Sequence, residues 1–119
     1  MKLSKRDLKL SKTILKHDYD WAFNIAYNSI LQCIRALMFN NGYRPASGFS
    51  HVATIEFAKI YLTTSDIIYL NNMRKFRHKT TYDTVGLVTK SQARNAICHG
   101  EEIIEKIIKI IAESAEDTV

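Results

Sequence analysis

Between Asp18 and Gly42 apolar residues recur every three or four positions, at Phe23, Ala26, Tyr27, Ile30, Ile34, Leu37 and Met38. That period lines one face of an α-helix and not of a strand. A helix with so long an apolar stripe needs other helices to cover it. Asp18 or Asp20 can cap its start, and Asn40-Asn41-Gly42 ends it, because glycine adopts the left-handed conformation that closes a helix. Trp21, Ile25 and Cys33 carry the apolarity further around the cylinder, so this helix is expected at the centre of a bundle or in a subunit interface.

The rest of the chain supplies the neighbours. Ser4 with Asp7 reads as a capping pattern ahead of Leu8, Ser11, Ile14 and Leu15, giving a short first helix to about Lys16. After a loop through Arg44-Pro45-Ala46-Ser47-Gly48, a third helix has Val52, Ile55, Ala58 and Leu62 as its inward positions. Ser65 and Asp66 start a fourth. Thr89 with Gln92 forms a capping box for the last, which aligns Ala93, Ile97, Gly100, Ile104, Ile107 and Ile111 on one face. Gly100 there either lets another helix approach closely or weakens the turn. No stretch alternates with the two-residue period of a strand. The expected fold is all-α, an antiparallel up-and-down bundle of four or five helices, forming a single domain over residues 1–119.

Composition narrows the class. Of 119 residues, 46% are hydrophobic and 24% charged, as in a globular domain. No apolar run approaches the about 20 residues of a membrane span, and the lysine-rich start lacks a signal core, so a cytoplasmic protein without membrane contact is expected. Cys33 and Cys98 lack the spacing of a zinc site and read as reduced core thiols; no metal or cofactor is expected. The net charge of +5 permits nucleic-acid binding without requiring it. It is unevenly spread, with lysines crowding the first sixteen residues and Glu101, Glu102, Glu105, Glu113, Glu116 and Asp117 the last nineteen, so the two ends can attract each other.

The fourth helix carries the chemistry. Leu70, Met73, Arg77 and Thr80 follow one another on one side, so an apolar stripe turns polar halfway, and a buried guanidinium must find a partner or reach solvent. Arg74, Arg77, His78 and Thr81 share a face, with Lys75, Lys79 and Tyr82 on its flanks. Guanidinium groups pair with phosphate in a bidentate manner. The expected phosphate contacts are Arg74, Arg77, His78 and Lys79, with Tyr82 supporting them or stacking on a base.

The order of Asp18-Tyr19-Asp20-Trp21-Ala22-Phe23-Asn24-Ile25-Ala26-Tyr27, Arg35-Ala36-Leu37-Met38, Gly42-Tyr43-Arg44-Pro45, the segment Arg77 to Asp83 and the capped last helix resembles the HEPN family of small helical domains, over about Asp18 to Ile111. The resemblance implies a dimeric bundle that binds nucleotides or RNA, often beside a small nucleotidyltransferase in a toxin–antitoxin pair. It also implies, for some members, metal-independent ribonuclease activity through an Arg and a His with four to six residues between them, often with Asn directly after the Arg. Carried over, that arginine falls on Arg77, His78 follows it, and Tyr82 occupies a slot where the family places histidine. A phenol with an ordinary pKa near 10 is a poorer base at neutral pH than an imidazole near 6.5. The family tyrosine that some nucleotidyltransferase partners modify falls on Thr84.

The reading that follows is a nucleotide- or RNA-binding homodimer without catalysis, one component of a toxin–antitoxin or nucleotidyltransferase-associated pair. Its rival is an endoribonuclease toxin in which Arg77 and His78 are catalytic, and a third class is a purely structural assembly subunit. Arg94-Asn95-Ala96-Ile97-Cys98-His99 also fits the ribonuclease pattern by letter, but it lies a helix too late and within the packing register of the last helix. Residues five apart also point about 140° away from each other on a helix.

Overall fold

The computed structural model describes residues 2–45, 48, 50–82 and 88–117; within the helices, the side chains of residues 2, 3, 78–82 and 115–117 lie outside the described set. Five helices follow one another: α1 (Lys2–Ile14), α2 (Tyr19–Asn40), α3 (His51–Ala58), α4 (Thr64–Tyr82) and α5 (Lys90–Asp117), with no strand among the described residues. The Asp18 carboxylate caps α2 by accepting from the Trp21 backbone N–H at 3.1 Å. Gly42, at φ 66°, takes the left-handed conformation just past its end.

Side-chain contacts fix the directions of the helices. Gln32 Nε2 donates to Asp7 Oδ2 at 3.2 Å, so α1 lies antiparallel to α2. Phe76 packs edge-on against Phe23 with ring centroids 5.4 Å apart, which sets the far end of α4 on the start of α2. Asp66, in the first turn of α4, accepts from Lys106 Nζ at 2.9 Å, well along α5. Asp20 accepts from the Val88 N–H at 3.2 Å, so α2 and α5 start side by side and run parallel. The four long helices therefore alternate up and down, and the short α3 lies in the passage from α2 to α4.

Helix α2 is the centre. Its stripe from Phe23 to Met38 is buried, including Tyr27, and Cys33 is buried with it, whereas Trp21 stays 62% exposed. Gly100 is buried because α1 and α2 close on it: a Cβ there would sit 3.1 Å from Leu8 Cδ1 and 3.6 Å from Ile30 Cγ1. This is the close-approach reading of that glycine. Lys12 pairs with Glu101, one realised contact between the basic start and the acidic last helix.

Four local expectations change. Helix α1 already begins at Lys2, so Ser4 is a buried helix-interior residue and Asp7 binds Gln32 and Arg6 instead of capping. Helix α4 is capped by Thr63: its Oγ1 accepts from the Asp66 N–H at 3.1 Å while its own N–H donates to Asp66 Oδ2 at 3.4 Å. Val52 points outward, 52% exposed, because the inward face of α3 is turned toward Thr54 and Phe57, the latter stacked on Tyr43 at 4.8 Å. Cys98 is a free, exposed thiol, since Ala96, Ile97 and Gly100 define the buried side of α5 and Cys98 falls between them on the opposite side. The box at Thr89 and Gln92 forms as expected, with reciprocal bonds of 2.9 and 3.1 Å.

Candidate functional site

Leu70 and Met73 are buried on α4, and the next residue on that side, Arg77, is half-buried. It does not swing fully into water because α2 and α3 both pack against α4. The opposing residue on α2 is Tyr27, whose ring is fully buried in the middle of the apolar stripe. A buried phenol keeps its hydroxyl satisfied only if a partner is brought to it, and that partner comes from another helix. Tyr27 Oη lies 3.2 Å from Nδ1 of His51, the first residue of α3, and the two rings meet edge to face at 5.5 Å.

Three guanidinium groups lie near enough to act electrostatically on this pair. Arg77 and Arg74 from α4 and Arg35 from α2 are the charges that act on both rings, and all three are positive. Each is half-buried. The Arg74 Nε is shielded from solvent and has no hydrogen-bond partner, and Arg74 forms no ion pair among the described residues.

The electrostatics follow from that arrangement. Burial pushes the Tyr27 phenol up to about 12, against the opposing pull of Arg77, Arg74 and Arg35. Burial also lowers His51 below its ordinary 6.5, and here the same arginines act in the same direction, because a cation disfavours a second cation beside it. Near neutral pH both rings are thus uncharged, and the bond between them runs in the direction set by the imidazole tautomer. The niche offers positive charge from three forks and one neutral imidazole, which the buried Tyr27 phenol holds in place. Such a set can hold an anion and can exchange a proton with it.

Of the residues the sequence put forward, Arg74 and Arg77 are brought together here. His78, Lys79 and Tyr82 continue α4, but their side chains lie outside the described residues, as do Thr80 and Thr81. Tyr27, Arg35 and His51 were not foreseen as site residues. The available signal was the hydroxyl of Tyr27 within an otherwise apolar stripe, which requires a polar partner from elsewhere in the fold.

The second Arg-to-His pattern is built differently. Arg94 is exposed, and His99 stacks on Tyr69 with centroids 3.8 Å apart. Neither acts on Tyr27 or His51. Among the described residues no group of three His, Cys, Asp or Glu is placed to hold a metal ion, and no helix is long and apolar enough to cross a membrane.

No curated protein matches this chain. The model of the HEPN domain matches residues 1–111, nearly the whole bundle and every residue of the niche, so the chain belongs to the HEPN domain family, whose functions are nucleotide- and RNA-related.

Proposed function

We propose that the chain is a nucleotide- or RNA-binding protein that holds a phosphate group between Arg35, Arg74 and Arg77 without cleaving it. The observation that carries this reading is the convergence of three guanidinium groups, from two helices, on one pair of uncharged rings. Phosphate oxygens accept from such forks in pairs, and His51, half-buried beside them, adds a neutral imidazole held in place by Tyr27. His78 and Lys79 extend the positive sequence of α4 in this reading, with Tyr82 as a stacking surface for a base. The protein acts as a homodimer and as one component of a toxin–antitoxin or nucleotidyltransferase-associated pair, and co-purification with the product of an adjacent nucleotidyltransferase reading frame tests that pairing.

Anisotropy of a labelled single-stranded RNA, titrated at two salt concentrations, tests the site. Binding is expected to weaken steeply with salt, and Arg74→Ala and Arg77→Ala are each expected to lower the salt slope by about one. Binding that ignores both salt and these substitutions sinks the reading.

His51 favours one second reading. An imidazole kept neutral beside three guanidinium groups has the protonation state of a general base, and the arginines are suited to the charge that develops on phosphorus. In a metal-independent ribonuclease, His51 then takes the role that the family slot at Tyr82 leaves vacant, alongside Arg77 and His78. RNA incubated in chelator separates the readings. Cleavage abolished by both His51→Asn and Arg77→Ala supports the ribonuclease, cleavage lost only in His99→Ala moves the site to α5, and no substitution-sensitive cleavage leaves the binding protein.

A further inference from the structure

Helix α1 carries its charge in a line. Lys5, Lys9, Lys12 and Lys16 follow one another at intervals of four, three and four residues, and at about 100° per residue these positions fall within roughly 60° of each other around the helix. All four are exposed. The row ends in the turn after α1, where the Leu15 N–H still donates to the Ser11 carbonyl at 2.9 Å, so the helical register carries on toward Lys16. Beside it Lys9, Lys12, Thr13, Lys16 and His17 border an open hollow of about 500 Å³.

Like charges three and four residues apart destabilise the helix that carries them, and little in this chain offsets them. Asp7, the one acid of α1, is turned away: it accepts from Gln32 of α2 at 3.2 Å and from the Arg6 guanidinium at 3.3 Å. Lys12 pairs with Glu101 of α5, and both side chains keep about half their surface in solvent. Lys5, Lys9 and Lys16 form no ion pair among the described residues.

The row is also remote from the niche. Gln32, which meets α1, lies five residues and about 140° around α2 from Tyr27, so an occupant of the row leaves the niche open. Its chemistry follows from what the row lacks. Lysine is a point charge without the planar fork that selects phosphate, the one arginine of α1 is held by Asp7, and no aromatic residue between Lys5 and Lys16 offers a base a stacking surface. The pair already formed shows what suits such a lysine, a glutamate from a neighbouring helix. The intervals read the same from either end, so they match carboxylates at equal intervals on one face of a second helix laid in either direction, as charged flanks match in coiled coils.

From this complementarity we infer that the outer face of α1 is the docking surface for an acidic helix of a partner protein, seated over the hollow at Thr13 with its carboxylates against Lys5, Lys9, Lys12 and Lys16. Thr13 is small enough to let that helix come close. Leu10, 46% exposed and about 60° beyond Thr13 on the side away from the lysines, gives it an apolar edge to cover. The surface stands apart from the phosphate niche and needs no RNA.

A synthetic helical peptide with glutamates at i, i+4, i+7 and i+11 in an alanine background, titrated into the full chain at low ionic strength and followed by two-dimensional NMR, tests this. Amide shifts are expected within residues 5–17, and affinity is expected to fall with added salt. Exposed ion pairs are individually weak, so the margin over a peptide of the same composition with its glutamates spread around the helix is expected to be modest, about fivefold. Lys9→Glu combined with Lys16→Glu, both at exposed positions, is expected to lose the glutamate peptide and to gain the same peptide with lysine in place of glutamate, a gain that also shows the variant folded. The inference is overturned if the glutamate peptide does not bind, if the redistributed peptide binds equally well, or if the lysine peptide fails to bind a double variant that keeps its wild-type unfolding midpoint. It is also overturned if single-stranded RNA displaces the peptide from α1, which makes the row a phosphate track, or if sedimentation shows a dimer that the double variant dissociates, which makes the occupant a second copy of the chain. Failure of the phosphate niche reads out separately, in RNA binding insensitive to Arg74 and Arg77.

Discussion

The phenol oxygen of Tyr27 and Nδ1 of His51 meet at 3.2 Å although 24 residues separate them in the chain. The contact ties the middle of α2 to the first residue of α3, within the electrostatic reach of three guanidinium groups.

The burial of His51, with the three arginines acting on it, makes stability depend on pH in a definite direction. His51 has a lower pKa folded than unfolded, so below about 6.5 the unfolded chain binds the proton that the folded chain refuses, and the unfolded state gains. The stability is whole above the unfolded value and falls as pH drops from there toward the folded one. Urea midpoints are expected to decrease between pH 7.5 and pH 5.5, and His51→Asn is expected to flatten that decrease. A midpoint equally pH-dependent in the variant removes His51 as its source.

Helix α2 and its ends were legible because period, cap and glycine stop are local properties of the chain. The last helix was legible for the same reason, down to the reciprocal box at Thr89 and Gln92. The cap at Ser4 misled because a capping pattern says where a helix can start, and α1 starts earlier, at Lys2. The niche was half legible. Arg77 announced itself by interrupting the stripe of Leu70 and Met73, but His51 sits at the edge of a loop with no periodic signal, and Arg35 belongs to a helix otherwise read for its apolar side. Only the tertiary crossing of α2, α3 and α4 makes them neighbours.

Asp66 supports the opposite end of α4. Burial alone pushes its carboxyl up, but hydrogen bonds from Lys106 and Thr63 hold it below the ordinary value of 3.8. The stability this contributes is present above the unfolded value and is lost as pH falls through the folded one. Replacing the cap by Thr63→Ala is expected to cost about 1 kcal/mol in urea unfolding at pH 7. Asp66→Asn is expected to be destabilising at pH 7 and less so at pH 3, where the carboxyl of the unfolded wild type already takes up a proton. Equal losses at both pH values sink the assignment.

Gly100 tests the close approach of α1 to α5. Alanine gains about 1 kcal/mol of helix propensity but sets its Cβ at 3.1 Å from Leu8 Cδ1, a flexible methyl that can yield, so Gly100→Ala is expected to stay within about 1 kcal/mol of wild type. Gly100→Val adds two methyls against Leu8 and Ile30 and is expected to cost about 2 kcal/mol. Leu8→Ala in the valine background is expected to recover part of that loss, a coupling read from a double-mutant cycle.

Anion binding and protonation at the niche are linked. A phosphodiester placed among Arg35, Arg74 and Arg77 brings negative charge to His51 and offsets the arginines that lower its pKa, so the bound state favours the imidazolium more than the free state does. RNA phosphodiesters do not titrate between pH 8 and pH 5.5, which leaves the protein as the source of any change. Affinity for a fixed RNA, measured at constant ionic strength, is expected to rise as pH falls across this range, with net proton uptake detectable as a buffer-dependent heat in calorimetry. His51→Asn is expected to bind RNA at pH 8 within about threefold of wild type, since both side chains are neutral there and within ~1 kcal/mol of each other as hydrogen-bond partners. The same variant should lack the rise at low pH. If affinity instead stays flat in the wild type, the phosphate does not sit beside His51, and the arginines bind it from another side.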